Sequence, residues 1–273
     1  MRIKHRFTFR SDENNIINFL IKKKVDIDYD EIINVIEIFE DNKDFVEIKN
    51  FLKSYNSTPL SRCIYTTHEL DTAEWLTVRS MWRSYFAEPR DNWGYMFTTY
   101  DGTNYCDICG NGLVQKENFV LKLRPNWRKK NFLMIYGIED ELFVTSKIET
   151  VFTENNAKGI NFLEVLNRSG KEIEGTRQIF VEEILKPSLK SESIRKEVVC
   201  EKCNFKKIFP KIDFNSYDKS AFENLNVDMI KSYEKYGEEC ACSGTIFMSQ
   251  RLRQVLIANG LAKGLLFEPI KLV

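Results

Sequence analysis

Two cysteine pairs constrain this chain more than any other feature of its sequence. Each pair has the C-x-x-C spacing of a zinc knuckle, in which a tight turn lets both sulfurs reach one tetrahedral ion. The residues that follow the pairs, Gly110 and Asn204, both tolerate a left-handed backbone. We call Cys106 and Cys109 with their turn the first hook, and Cys200 and Cys203 with theirs the second hook. Together the two hooks supply four thiolates, a closed shell with no open position for substrate. They therefore predict a structural zinc ion. The predicted ligands are Cys106, Cys109, Cys200 and Cys203.

A second arrangement of ligands competes with this one. Cys240-Ala-Cys242 is a C-x-C pair that could complete a site with the second hook alone. The first hook would then have only Cys63 and His68 as partners. We favour the site shared by both hooks, because C-x-x-C is the usual knuckle and C-x-C is a weaker signal.

The cysteine count also bears on the compartment. The chain has seven cysteines, an odd number, which fits metal-bound thiols in a reducing compartment better than a secreted disulfide framework. If no metal binds, the alternative is that the cysteines are small buried hydrophobic residues.

Residues 1–60 predict a small α/β unit. Alternating apolar residues indicate strands, and apolar residues at helical spacing indicate helices. The predicted order is strand, helix, strand, helix, over residues 2–9, 14–24, 34–39 and 43–55. The stretch Ser57-Thr-Pro-Leu60 is the predicted boundary, because proline and small polar residues stop both flanking patterns.

An internal repeat organises the rest of the chain. Residues 143–162 align with residues 247–267 when only Leu261 is skipped. Both copies predict a strand, a capping Thr145 or Ser249, an amphipathic helix, a glycine turn and a returning strand. Seven aligned pairs are identical, and in the first copy these residues are Phe143, Val151, Asn155, Ala157, Lys158, Gly159 and Phe162.

Each hook precedes one copy of this element, so the sequence predicts two modules over about 106–165 and 200–270. The predicted fold is α+β: the N-terminal unit, then a duplicated zinc-knuckle domain over residues 61–273. The modules are joined by residues 166–199, which include a predicted strand over 177–185.

Two stretches are candidates for binding. Residues 75–100 are rich in aromatic side chains and arginines, typical of base-stacking surfaces or partner hot spots. Core packing around the first hook is the favoured interpretation. After that hook, cations interleave with Phe119 and Trp127, as in nucleic-acid-binding proteins. These cations are Lys116, Lys122, Arg124, Arg128, Lys129 and Lys130.

The common hydrolase and kinase motifs are missing, and the chain has only two histidines, so we expect a protein that is not an enzyme. The acidic groups 139–141 and 182–183 leave a metal-dependent nuclease as one alternative. The chain has 40 Lys and Arg residues and 40 Asp and Glu residues, so its formal net charge is zero. A zero net charge gives no overall electrostatic attraction to nucleic acid. No apolar run approaches a membrane span and the N-terminus lacks a secretory signal, so we expect a cytoplasmic protein without membrane partners.

The hooks and the C-terminal segment resemble the double-CXXCG motif proteins, a bacterial group of immunity-type proteins found beside polymorphic toxins. The similarity covers roughly residues 100–273. Asn204 replaces the second motif glycine, and the hooks lie 200 − 106 = 94 residues apart. The C-terminal residues that carry the resemblance are Ser249-Gln-Arg-Leu-Arg253, Leu256, Gly260-Leu261, Gly264, Phe267 and Pro269-Ile270.

This resemblance implies a cytoplasmic, non-enzymatic protein that binds and neutralises a cognate toxin. A nucleic-acid-binding zinc-ribbon protein is the alternative that the basic stretch favours.

Overall fold

A computed structural model describes all 273 residues of the chain. It has the mixed α+β composition that the sequence predicts, with six α-helices and many strands. Two compact units are present: residues 1–69 with 212–214, and residues 70–211 with 215–273. No helix has the length and apolar character needed to cross a bilayer.

The first unit is a three-stranded antiparallel sheet with two helices. Its elements are β1 (Arg2–Arg10), α1 (Asn14–Lys22), β2 (Ile33–Phe39), α2 (Phe45–Lys53) and β3 (Leu60–Ile64). The strand order is β2-β1-β3, with β1 central. The four predicted elements are present, but the unit continues beyond residue 60. Because β3 pairs with β1, Cys63 opposite Ile3, it completes the sheet of this unit.

Alternation in β1 sorts its side chains onto two faces of the sheet. Phe7 and Phe9 point to one face, where they pack with α1 and α2 through Ile16, Leu20 and Ile48. The opposite face, which we call the open sheet face, carries the residues at alternate positions. It comprises Arg2, Lys4, Arg6, Thr8 and Arg10 of β1, Ile33, Val35, Glu37 and Phe39 of β2, and Leu60, Arg62 and Ile64 of β3.

The chain passes through α3 (Thr67–Thr72) into the second unit, which is built on two larger sheets. Its strands are β4 (Trp75–Ser80), β5 (Tyr100–Asp101), β6 (Val114–Gln115), β7 (Val120–Leu121), β8 (Phe132–Leu133), β9 (Leu142–Thr145), β10 (Asn161–Asn167), β11 (Glu172–Phe180), β12 (Ile194–Val199), β13 (Lys206–Pro210), β14 (Ser216–Tyr217), β15 (Met229–Tyr236), β16 (Ser243–Ser249), β17 (Leu265–Pro269) and β18 (Lys271–Leu272). Its helices are α4 (Tyr95–Thr98), α5 (Ser146–Glu154) and α6 (Gln250–Ala258).

The two larger sheets have the orders β7-β10-β11-β9-β8 and β15-β16-β4-β17. Each contains a strand-helix-strand segment, β9-α5-β10 or β16-α6-β17, whose two strands are separated by one antiparallel strand. That central strand is β11 in one sheet and β4 in the other. The sequence pattern predicts the flanking strands and the helix of each segment, but not which strand lies between them. In the second sheet this strand is β4, more than 150 residues earlier in the chain.

The registers of the two segments agree. Thr145 and Phe162 lie opposite Thr176 and Ile179, three residues apart on β11. Ser249 and Phe267 lie opposite Trp75 and Val78, also three residues apart on β4. Aligned residues of the sequence repeat thus occupy corresponding positions in the two sheets.

One core joins the two segments. The buried face of α5, Ile148 and Phe152, packs in the same apolar cluster as Leu252 and Leu256 of α6. Only one of the two predicted helix caps forms: Ser249 Oγ accepts from Leu252 N–H at 3.2 Å. Thr145 Oγ donates instead to Asn131 Oδ1 at 3.3 Å. The strand predicted over 177–185 is β11, shifted toward the N-terminus.

Candidate metal centre

Each cysteine hook is the tip of an antiparallel hairpin. The first lies between β5 and β6 and the second between β12 and β13. In the first, Cys106 N–H donates to Asn111 O at 2.8 Å and Gly110 N–H donates to Cys106 O at 2.7 Å. The backbone after the hook is left-handed, with φ of 78° at Gly110.

The second hook repeats this geometry. Cys200 N–H donates to Phe205 O and Asn204 N–H donates to Cys200 O, both at 2.9 Å. Asn204 has φ of 59°, the conformation that its short polar side chain tolerates. Asparagine can therefore stand where the CXXCG motif has glycine.

The structure brings the two hooks together, so that all four sulfurs lie within 4.8 Å of one another and could hold a metal ion. Cys106 Sγ lies 3.7 Å from Cys200 Sγ, and Cys109 Sγ lies 3.5 Å from Cys203 Sγ. Four sulfurs about 2.3 Å from a tetrahedral ion are about 3.8 Å apart, so this spacing fits a zinc-sized ion.

Backbone N–H groups prepare the first cysteine of each hook for ligation. The Cys203 N–H donates to the Cys200 sulfur and, against the opposing effect of burial, lowers the pKa of this thiol to about 6. Cys109 N–H lowers the pKa of Cys106 in the same way. Because the thiolate is the ligand form, these bonds favour metal binding.

Outside the sulfurs, a charged pair and an aromatic ring link the hooks. Lys202 Nζ of the second hook contacts Asp107 Oδ1 of the first at 2.7 Å. Phe205 packs against the three buried cysteines. The aromatic residues of segment 75–100, which the sequence predicts around the first hook, pack elsewhere: Tyr95 and Tyr100 lie against Phe119 and its neighbours.

The competing ligand sets are not assembled. Cys240 and Cys242 lie outside the group of four sulfurs, and so do Cys63 and His68. None of the seven cysteines forms a disulfide. The loop with Cys240 nevertheless packs on the first hook, since a Cβ placed on Gly110 would overlap the carbonyl oxygen of Cys240.

Sequence reasoning missed a buried lysine that holds this loop. Lys207, on β13 just after the second hook, is only 4% exposed. Its Nζ donates to the carbonyl oxygens of Gly237, Glu239 and Ala241 at 3.1, 2.6 and 2.6 Å. No motif marks this residue, because its acceptors are backbone atoms 30 or more positions away.

Of the acidic groups that suggested a nuclease, residues 139–141 each contact a different protein group, whereas Glu182 and Glu183 are exposed. Glu139 pairs with Arg83, and Asp140 Oδ2 accepts from Gly244 N–H at 3.1 Å. Glu141 is buried and pairs with Lys231. Burial raises the pKa of Glu141, while the Lys231 ammonium acts in the opposite direction. These carboxylates do not form a cluster that could hold a metal ion.

A polar cleft lies between the end of α5 and the start of α6. Its central carboxylate, Asp228, pairs with Arg251 and accepts from Ser249 Oγ at 2.7 Å and from Lys158 N–H at 2.9 Å. Arg251 also donates to Asn155 O at 3.0 Å. The charged groups of the cleft are therefore paired with one another, and their hydrogen bonds link the end of α5 to the start of α6.

The sequence matches no protein-family model and no curated protein.

Proposed function

We propose that this protein is a non-enzymatic, zinc-stabilised binding protein of the cytoplasm that neutralises a cognate toxin by direct contact. The observation that carries the binding role is the open sheet face of the first unit, where aliphatic side chains face solvent. The toxin as partner comes from the resemblance of the hooks and the C-terminal segment to immunity-type proteins.

The open sheet face has the composition of a protein-docking surface. Leu60, Ile33 and Ile64 on the outer strands are 74%, 48% and 37% exposed. The central strand between them presents arginines, including Arg6 beside Leu60. Covering exposed aliphatic groups with a partner is favourable because it removes apolar surface from water. Arginine is also enriched at protein interfaces.

The metal in this proposal is zinc with a structural role. Four thiolates satisfy its tetrahedral shell, so no position is left for substrate. The ion would join two hairpins whose cysteines are 94 positions apart and so restrict the unfolded chain. The ion would thereby stabilise the second unit, which contains both hooks.

We also infer that β8-β9-α5-β10 and β15-β16-α6-β17 are copies of one duplicated module. The matched registers support this, and so does a shared local bond. Thr145 N–H donates to Asn131 O at 3.2 Å, and Ser249 N–H donates to Asp228 O at 2.8 Å. In each case the acceptor immediately precedes the hairpin strand, β8 or β15.

The test is binding and protection with the purified product of the neighbouring toxin gene. We expect a complex in solution and rescue of growth on co-expression. Leu60→Asp and Ile33→Asp should each weaken the complex roughly tenfold, as truncation of an interface anchor does. Val46→Asp is the matched control, because Val46 is 67% exposed on α2 of the same unit. Absence of a complex, or a complex that tolerates both open-face variants, would contradict the proposal.

A further inference from the structure

The loop over residues 122–130, here named the basic loop, carries cations without carboxylate partners. Lys122, Arg124, Arg128, Lys129 and Lys130 are all exposed, and none of them forms an ion pair. The loop itself contains no Asp or Glu. In a chain with equal numbers of acidic and basic residues, this is a local excess of positive charge.

Aromatic side chains continue the surface beyond this loop. Trp127 of the loop packs edge-on against Trp82 at 5.5 Å, and Lys130 Nζ lies 4.4 Å from the Trp82 ring centroid. The backbone N–H of Asn126 donates to the Tyr85 hydroxyl at 2.8 Å. The basic loop is therefore fixed against the segment that begins at Trp82.

Further aromatic residues follow Tyr85 in the chain or lie near its neighbour Phe86, and two of them have exposed rings. The ring of Phe86, next to Tyr85, lies 4.9 Å from that of Tyr136, and Arg90 lies 3.9 Å over Phe86. Trp93 lies beside Gly137, the residue after Tyr136. We call Trp82, Tyr85, Phe86, Trp93 and Tyr136 the aromatic strip. Trp93 is 58% exposed and Tyr136 is 44% exposed, so both offer ring surface to a ligand.

The backbone is strained at three bulky residues of this surface. Tyr85, Trp93 and Arg128 have φ of 67°, 55° and 46°. A left-handed conformation is unfavourable for large side chains and is retained where the surrounding structure imposes it, often at functional sites. Both Trp93 and Arg128, which have this conformation, are exposed.

We propose that the basic loop and the aromatic strip bind single-stranded nucleic acid. The loop cations neutralise phosphates, and bases stack on Trp93 and Tyr136. Stacking requires exposed base faces, which a duplex does not offer, so single strands are preferred. Ring faces accept every base, so sequence preference is weak. This activity lies on the second unit and goes beyond toxin binding by the open sheet face of the first.

The test uses the full zinc-loaded chain and fluorescein-labelled oligo-dT and oligo-U of about 20 nucleotides, longer than the roughly 4–16 nucleotides of one binding fold. We expect the anisotropy of the labelled oligonucleotide to rise to a plateau as protein is added, and tryptophan fluorescence to be quenched. The affinity should fall steeply as the salt concentration rises. The double variant Arg124→Glu/Lys129→Glu should reduce affinity at least tenfold and flatten the salt dependence. Trp93→Ala should reduce affinity about tenfold and remove much of the quenching.

Lys219→Glu is the matched control, because Lys219 is exposed and forms no ion pair but lies outside this surface. It should bind like the unmodified chain. No binding at low salt would overturn the proposal. Equal binding of a duplex or of heparin, unaffected by Trp93→Ala, would also overturn it by showing charge attraction without stacking.

Discussion

The sulfur of Cys106 lies 3.7 Å from the sulfur of Cys200, although the two residues are 94 positions apart in the chain. An ion held by both closes a long loop, and by the chain-entropy model such a closure is worth about 4 to 5 kcal/mol. The ion would thus add a link between two hairpins that share no ladder with each other.

Loss of a hook ligand should therefore remove both the metal and stability. We expect elemental analysis to find one zinc ion per chain in the unmodified protein, and none in Cys106→Ser or Cys200→Ser. The melting temperature of these variants should fall by roughly 10 °C or more. Cys240→Ser is the control and should keep its zinc. Zinc lost from Cys240→Ser but kept by Cys106→Ser would place the metal elsewhere.

Gly110→Ala should destabilise the first hook by more than the cost of placing an alanine in the left-handed conformation. Its φ of 78° costs an L-residue about 1–2 kcal/mol, and its new Cβ would overlap the Cys240 carbonyl. Gly170→Ala separates the two effects, because Gly170 has φ of 75° and open space around its Cα. Urea unfolding should show the larger loss for Gly110→Ala, and chelator competition should show weaker zinc binding. Equal losses in the two variants would mean that the Cys240 contact is unimportant.

Lys207→Met should destabilise the protein by about 1–3 kcal/mol, since three partly buried carbonyl oxygens lose the charged donor that they share. The neighbouring Lys206 is the control: its amine is half exposed and pairs with Glu197 on the surface. Lys206→Met should cost less than about 1 kcal/mol. Limited proteolysis within residues 237–242 should accelerate only in Lys207→Met. Similar stability of the two variants would refute the bracing role of Lys207.

The first unit should lose stability as the pH falls below about 6.5. His5 is 5% exposed, and its Nδ1 lies 2.8 Å from Ser61 Oγ. Burial lowers the pKa of His5, with Glu40 acting in the opposite direction. The unfolded chain, with an ordinary pKa of about 6.5, therefore takes up the proton first. The stabilising contribution is complete above that pH and declines below it, by at most about 1.4 kcal/mol per pH unit.

Unfolding followed between pH 5 and 8 measures this dependence. His5→Gln should flatten the curve between pH 7 and 5, because the titrating group is gone. His68→Gln is the comparison variant, because it removes the other histidine of the chain and keeps His5. A curve that His5→Gln leaves unchanged would exclude His5 as its origin.

Local sequence determined much of this architecture. The C-x-x-C spacing with Gly110 or Asn204 behind it specifies each hook, since its hydrogen bonds join residues within five positions. Alternation and helical spacing likewise predict β1, α1, β2 and α2, because one buried face is enough to define each element. The repeat over 143–162 and 247–267 predicts two strand-helix-strand segments for the same reason.

Tertiary structure alone decided how these pieces are combined. The pairing of the two hooks, the insertion of β4 between β16 and β17, and the three carbonyls around Lys207 depend on residues far apart in the chain. The exposure of Trp93 was also decided by tertiary structure, since a tryptophan-rich stretch is equally typical of a buried core. Periodicity and spacing indicate which face of an element is apolar, but long-range packing decides what covers that face, and it leaves Leu60, Trp93 and Tyr136 exposed.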